Sequence, residues 1–332
     1  MYLSGIPTVL LHRNMQTYIA QTQSDMRDAQ FETTTGIAAN LPSHLNGDVG
    51  RMRQIEKQIA DIDQRLLSIQ GFVAEASMAQ FSLEDARVAA SDLIVDMKSA
   101  VGLDNEQLIK ASYIDADIEL RALFDRLNTP YAGRYIFSGA ATDTPPLGDV
   151  ETLLMDVQTI VAAGGGVEAA LDTYFNTAAG GFQTNIYNGS TNPGPDREVG
   201  VGHRMGIEAT ALDQGIVDVI RGLAVMAVVD DANLTAGGVR DQIINNAADT
   251  LAEGVDEVLQ LQTNLATLEA EAKDFEIRGL AQRRVFEDQL LALVGVDQTA
   301  AATRLNFLQT QLETAYVTTS LIQNLSLVNY LR

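Results

Sequence analysis

The sequence predicts a mainly α protein: a long antiparallel, coiled-coil-like helical bundle of N- and C-terminal segments, with a small inserted β-rich domain. Three observations predict it. Apolar residues recur at alternating steps of three and four over long stretches near both ends, the seam of packed helices. The stock of Leu, Ala, Gln, Asp and Glu favours helix, and aromatic residues make up only 6%, too few for an aromatic-lined binding protein. The middle of the chain is instead broken by Gly164-Gly165-Gly166, Gly180-Gly181 and Asn192-Pro193-Gly194-Pro195, and short alternating stretches lie between these breaks.

Taken in order, residues 8–31 read as a first helix through Leu11, Met15, Tyr18, Thr22, Met26 and Ala29, ended by Thr34, Thr35 and Gly36. Pro42 to Gly47 reads as a loop. Residues 49–100 read as one very long helix. Its heptad steps from Met52 to Ala76 slip by one three-residue step to Ala79, then resume through Leu83 to Ala100. Such a slip overwinds a coiled coil or marks a short break. After a turn at Gly102 to Asn105, a second helix carries Ile109, Tyr113, Ala116, Leu120, Leu123 and Leu127 to a stop at Thr129-Pro130. A short turn between two long helices predicts an antiparallel hairpin.

Tyr135, Ile136 and Phe137 lie between Gly133 and Gly139 and read as a short strand, left at Pro145-Pro146. In the middle, Phe182, Thr184 and Ile186, then Val199 and Val201, then Ile207, Ala209 and Ala211, alternate as strands do. Helix resumes at Gln214 with Ile216, Ile220, Leu223 and Ala227. A second very long helix begins near Val239, its seam running from Ile244 through Leu251, Gly254, Val258 and Leu265 to Phe275. Gly254 costs about 1 kcal/mol against Ala there, which close approach of another helix would explain. The expected domains are 1–40 with 298–332, 41–147 with 214–297, and 148–213.

The last stretch is distinct in charge. The chain carries a formal net charge of −22. All 44 acidic residues lie between Asp25 and Glu313, and Thr314 to Leu331 has no charged side chain. Ala301, Leu305, Leu308, Leu312, Ala315, Thr319 and Ile322 form a seam, with Leu321, Leu325 and Val328 as a second stripe beside it. Asp297 is the expected N-cap, after Gly295 closes the preceding helix. Three readings compete: a membrane anchor, core of the chain itself, and a helix that packs against other copies or partners. Thr318, Thr319, Ser320, Gln323, Asn324, Ser326 and Asn329 are too polar for a spanning helix. The matching poverty of charge at the other terminus favours the assembly helix. The candidate interface is Leu11, Met15 and Tyr18 on the first helix and Leu305, Leu308, Leu312, Ala315, Leu321, Ile322, Leu325 and Val328 on the last.

The acidic balance argues against nucleic acid and anionic membrane surfaces as partners. The absence of Cys and of a basic n-region before the apolar residues of Met1 to Leu11 fits export, if it occurs, without a cleaved signal. No catalytic, metal or cofactor site is expected. His12, His44 and His203 are far apart in sequence, and Asp115, Asp117 and Glu119 lack the glycine of a calcium loop. Gly200 to Gly206 has one residue too many for a dinucleotide loop.

Two motifs carry a resemblance. Gly133-Arg134-Tyr135-Ile136-Phe137-Ser138-Gly139 is followed by Thr142-Asp143-Thr144-Pro145-Pro146, and the tail ends Leu325-Ser326-Leu327-Val328-Asn329-Tyr330-Leu331. Together they resemble the flagellin family, in its hook–filament junction branch. The first helix lacks that family's Ser/Thr-rich opening, and Pro42 to Gly47 lacks its paired aspartates. The resemblance implies a structural protein of the bacterial flagellum without a cofactor. It implies terminal helices that pair along the inner wall of a tube and a variable insert facing outward. The insert's own composition, and its ends where the chain leaves and re-enters the bundle, predict that it is dispensable for joining. It also implies partners: further copies of itself, a hook-side junction protein, flagellin, and a cytosolic export chaperone on the C-terminal region.

Overall fold

The structure, a computed structural model, describes residues 6–103, 105–230 and 237–330; the side chains of 6–9, 11, 12, 237 and 322–330 lie outside that description. It is mainly α, with nine helices and two small antiparallel sheets among the described residues. The chain divides into two compact units, Met1–Asp63 with Leu280–Arg332, and Gln64–Gly279.

In the first unit, α1 (Ile6–Thr35) stops where Gly36 takes a positive φ of 71°. The expected loop after it contains one short helix, α2 (Leu41–His44), because the Asn40 side chain accepts from the Ser43 amide and Pro42 sits where no helical donor is needed. The start of α3 (Val49–Gly102) and the end of α8 (Gly237–Val294) meet at Asp63 and Arg283, 2.7 Å apart. The last helix, α9 (Gln298–Tyr330), packs along α1.

The second unit is a bundle around one buried helix, α7 (Gln214–Val228). Helix α3 passes Ala79 unbroken, and the burial of Ala76, Ala79, Leu83 and Ala86 follows the slipped rhythm. Helix α4 (Glu106–Leu127) starts where the Asn105 side chain accepts from two amides. It folds back along α3, so that Arg126 reaches Asp85 at 3.5 Å. Along α8 the partners of α3 step backwards: Glu276 meets Gln70, Glu269 meets Gln80, Gln262 meets Glu84 and Asp249 meets Lys98. Gly254 of α8 lies so close to α7 that a Cβ there would sit 2.8 Å from the Val219 amide nitrogen. The seam glycine thus marks the close approach of another helix.

The middle of the chain has narrower strand content than its alternation suggests. It holds one hairpin, β3 (Arg197–Gly200) with β4 (His203–Met205), and two helices, α5 (Val150–Ala162) and α6 (Val167–Asn176). Phe182 to Ile186 is a single wide helical turn, and both end residues are buried on one side of it. An i, i+2, i+4 pattern serves a strand or one helical turn equally well. Ile207, Ala209 and Ala211 are buried but form no strand. The segment also does not stand apart from the bundle. Leu153, Val157, Leu171, Phe175, Phe182 and Ile186 enter the same core as α7, and Arg221 of α7 pairs with Glu168 and Asp172 of α6.

Candidate assembly surface

The sequence motif around Gly133 is a clasp. Two residues, Ala132 and Gly133, turn with positive φ of 50° and 78° between β1 (Pro130–Tyr131) and β2 (Arg134–Tyr135), the backbone a tight hairpin demands. The strand expected to continue through Phe137 ends at Tyr135, and Ile136–Ser138 forms a 3₁₀ turn. The turn brings the chain against the loop at Ser190. Gly139 has φ 59°, and a Cβ there would lie 2.4 Å from the Asn192 oxygen. The Ser138 oxygen accepts from the Ser190 amide at 2.8 Å, the Phe137 oxygen from the Ala211 amide at 2.9 Å, and the Pro146 oxygen from the Asn188 amide at 2.8 Å. Buried Ser138 donates its hydroxyl to the Thr144 oxygen, and the Thr142 oxygen accepts from the Tyr135 amide. Phe137 and Pro146 are buried, Arg134 is half-buried, and Asp143 and Pro145 are exposed. Most of this motif therefore ties segments of the second unit together and offers little surface.

The terminal helices offer more. Asp297 caps α9, its Oδ1 accepting from the Thr299 amide at 2.8 Å. The turn before it is tied to the end of α1: Ala38 donates to the Val294 oxygen and Val296 to the Gly36 oxygen, each at 2.9 Å. Glu32 stands 3.6 Å from Arg304, and Gln23 donates to the Tyr316 hydroxyl at 2.8 Å. The α1–α9 contact buries Thr22, Ala29, Ala301, Leu308 and Ala315.

This divides the predicted interface. Leu308 and Ala315 are buried within the unit itself, and Leu305, Leu312 and Met15 are half-buried. Tyr18 and Leu321 are open to solvent. The side chains of Leu11, Ile322, Leu325 and Val328 lie outside the described residues. Sequence reasoning missed Phe307 and Val317, each 61% exposed, together with Tyr316 and Phe31. The signal was present: Phe307, Thr314 and Leu321 repeat every seven residues beside the seam already read. Met15, Tyr18, Phe307, Thr314 and Ala315 line a cleft of about 240 Å³.

The polar residues of α9 do not spoil this face. Thr303, Thr310, Thr314, Thr318 and Thr319 each donate to the carbonyl four residues earlier, at 2.7–3.1 Å. Thr17, Thr22 and Thr33 do the same on α1. A hydroxyl satisfied by its own helix can be covered without a new partner.

Among the described residues the titratable groups form no catalytic arrangement. Burial pushes the Tyr113 hydroxyl up to about 12, and it has no hydrogen-bond partner among the described residues. Asp218 and Glu257 are raised chiefly by burial, whereas Glu269 is lowered chiefly by its bond from Lys273. Asp117 pairs with Arg121, and Glu119 stands 3.7 Å from Arg126. His203 stacks on Phe275 with ring centres 5.2 Å apart. The Gly200–Gly206 stretch holds the end of β3, the turn at Val201-Gly202 and the strand β4. Among the described residues no group of three or more His, Asp or Glu is placed to hold a metal ion, and no helix is long and apolar enough to cross a membrane.

Comparison with known proteins bears on both ends. The bacterial flagellin N-terminal helical region matches residues 6–142, and the bacterial flagellin C-terminal helical region matches residues 249–331. No curated protein matches the chain by sequence. Among solved structures, a putative flagellar hook-associated protein from Vibrio parahaemolyticus is 12% identical over 72% of this chain and 94% of its own, with a TM-score of 0.51. FlgL from Bacillus cereus is 15% identical over 74% of this chain and 99% of its own, with a TM-score of 0.43. With its two helical ends matched over well beyond half its length, the chain belongs to the flagellin family, whose members are structural proteins of the bacterial flagellum and not enzymes.

Proposed function

We propose that the protein works at the hook–filament junction, as an adaptor between a hook-side junction protein and the flagellin filament. The observation that carries this reading is the Gly133–Pro146 motif, whose residues resemble the junction branch of the family. In this reading α1 and α9 pair along the inner wall of a tube, and Phe307, Val317 and Leu321 are covered by neighbouring subunits. Their exposure and the self-satisfied threonines beside them support it. The chain reaches the growing tip by the flagellar type III route, with a cytosolic chaperone covering the C-terminal region, and acts outside the cell. Deletion of the gene in the native host tests the junction role. Hooks should remain while unattached flagellin appears in the medium. Filaments of normal length on the deleted strain would contradict it. Long homopolymers grown by the purified protein on filament seeds would make it a filament flagellin.

A further inference from the structure

The chain holds two Asn-Gly pairs, Asn46-Gly47 and Asn188-Gly189, and both asparagines are exposed. An asparagine before glycine can lose its side-chain amide without a catalyst. The backbone nitrogen that follows attacks Cγ, and a glycine has no Cβ to hinder the approach. That nitrogen must shed its proton and swing toward the side chain. An amide that already donates to a carbonyl is held from both, because the bond must first be broken. The two pairs differ on this point.

At the first pair the amide is engaged. Gly47 donates to the Pro42 oxygen at 3.0 Å and Asn46 to the Ser43 oxygen at 3.3 Å, the two bonds that close helix α2. At the second pair the bonds fall on either side of the glycine. Asn188 donates to the Pro146 oxygen and Ser190 to the Ser138 oxygen, each at 2.8 Å, while the Gly189 amide has no acceptor among the described residues. Nor can this glycine be exchanged for a residue that would slow the reaction. A Cβ at 189 would overlap the Tyr187 hydroxyl, which donates to the Ser190 oxygen, and would lie 2.9 Å from the Ser138 oxygen. The clasp therefore requires glycine here, fixes both of its neighbours and leaves its nitrogen unbound.

We infer that Asn188 is a site of spontaneous deamidation, and that the product loosens the clasp. The Gly189 nitrogen gives its proton to water and bonds to the Asn188 Cγ. The Cγ–Nδ2 bond breaks and ammonia leaves, which closes a five-membered succinimide. Water then opens the ring. Attack at Cγ gives aspartate, and attack at the main-chain carbonyl gives isoaspartate. Water and ammonia balance the conversion, with no change of oxidation state. Isoaspartate routes the main chain through its own Cβ and Cγ, one carbon longer than before. The extra carbon falls between the bond to Pro146 and the bond to Ser138, so both cannot keep their present geometry. A lost or lengthened bond at a buried clasp lowers stability.

Full-length protein is kept in mildly alkaline buffer, either folded or in urea, and sampled over time. Proteolysis and mass spectrometry read the conversion at 46 and at 188, and electron-transfer fragmentation tells isoaspartate from aspartate. In urea the two pairs should convert at similar rates. In the folded protein 188 should run several-fold ahead of 46. Asn188→Gln, which would have to close a slower six-membered ring, should stay intact at 188 and keep its urea midpoint on storage. Wild-type protein aged to isoaspartate should show a lower midpoint for the second unit. Equal rates in the folded protein, Asn46 ahead of Asn188, or no conversion at either pair overturns the inference. Conversion at 188 with an unchanged midpoint overturns the loosening of the clasp.

Discussion

Helix α7 and helix α9 are built from similar apolar residues and end in opposite situations. In the unit Gln64–Gly279, every residue of α7 except Gln214 and Ala227 is buried, and α4, α5 and α6 pack against it. In the unit formed by Met1–Asp63 with Leu280–Arg332, α9 packs on α1 and buries mainly Ala301, Leu308 and Ala315, while Phe307, Val317 and Leu321 face solvent. A fully buried Leu or Phe contributes about 1.5–3 kcal/mol, and the smaller Ala contributes less. Helices gain most of their stability from tertiary cover; α7 has it within its own unit, while α9 leaves an apolar stripe open. In the proposed reading, the difference separates residues that hold the chain together from residues kept for neighbours.

The largest effect should come from removing 148–212 and joining the ends with a Gly/Ser linker. A detached outer module would tolerate this. Here the change strips Leu153, Leu171, Phe175 and Phe182 from the α7 core, at about 1.5–3 kcal/mol each against a total stability of about 5–15 kcal/mol. Circular dichroism melting should show no cooperative transition for the second unit. Next, Gly139→Ala should destabilise by at least about 1–3 kcal/mol from backbone strain alone, because φ is 59° and the new Cβ would meet Asn192. Urea unfolding reads this as a lower midpoint.

A smaller effect has the opposite sign. Burial holds the Asp218 carboxyl above its usual value of 3.8, so the folded state binds its proton more tightly than the unfolded state. Stability from this group falls as pH rises from 3.8 through the raised value, and is fully relieved below 3.8. Asp218→Asn should therefore stabilise at neutral pH, with the gain fading in acid, as urea midpoints measured at both pH values would read. Glu269 runs the other way. Its carboxyl is lowered by Lys273, so its contribution is present above 4.5 and is lost as pH falls through the lowered value. Smallest of all, Leu321→Asp should change melting within about 0.5 kcal/mol, since the side chain is 57% exposed, while assembly into the flagellum is lost.

The long helices were legible because heptad steps in α3 and α8 persist far beyond any competing pattern. The clasp was legible as a motif, but its role was not. Gly139 is required by the Asn192 oxygen and Ser138 by the Thr144 oxygen, and sequence spacing does not show that these segments meet. Helices α5 and α6 were overlooked because Gly164 to Gly166 drew attention from the i, i+4 spacing of Leu153, Val157 and Val161 and of Val167, Leu171 and Phe175. In α9 the strongest seam proved to be where the chain packs on itself. The weaker stripe through Phe307, Thr314 and Leu321 stays open. Heptad rhythm reports that a face is covered, and does not say by which molecule.

Amide hydrogen exchange, compared between the monomer and the assembled protein, tests the division of labour most directly. The monomer should protect α7 strongly and α9 weakly, and assembly should raise protection across 298–330 while leaving 214–228 unchanged. Equal protection of α7 and α9 in the monomer, with no gain on assembly, would show that α9 is already finished by its own chain and would contradict the account.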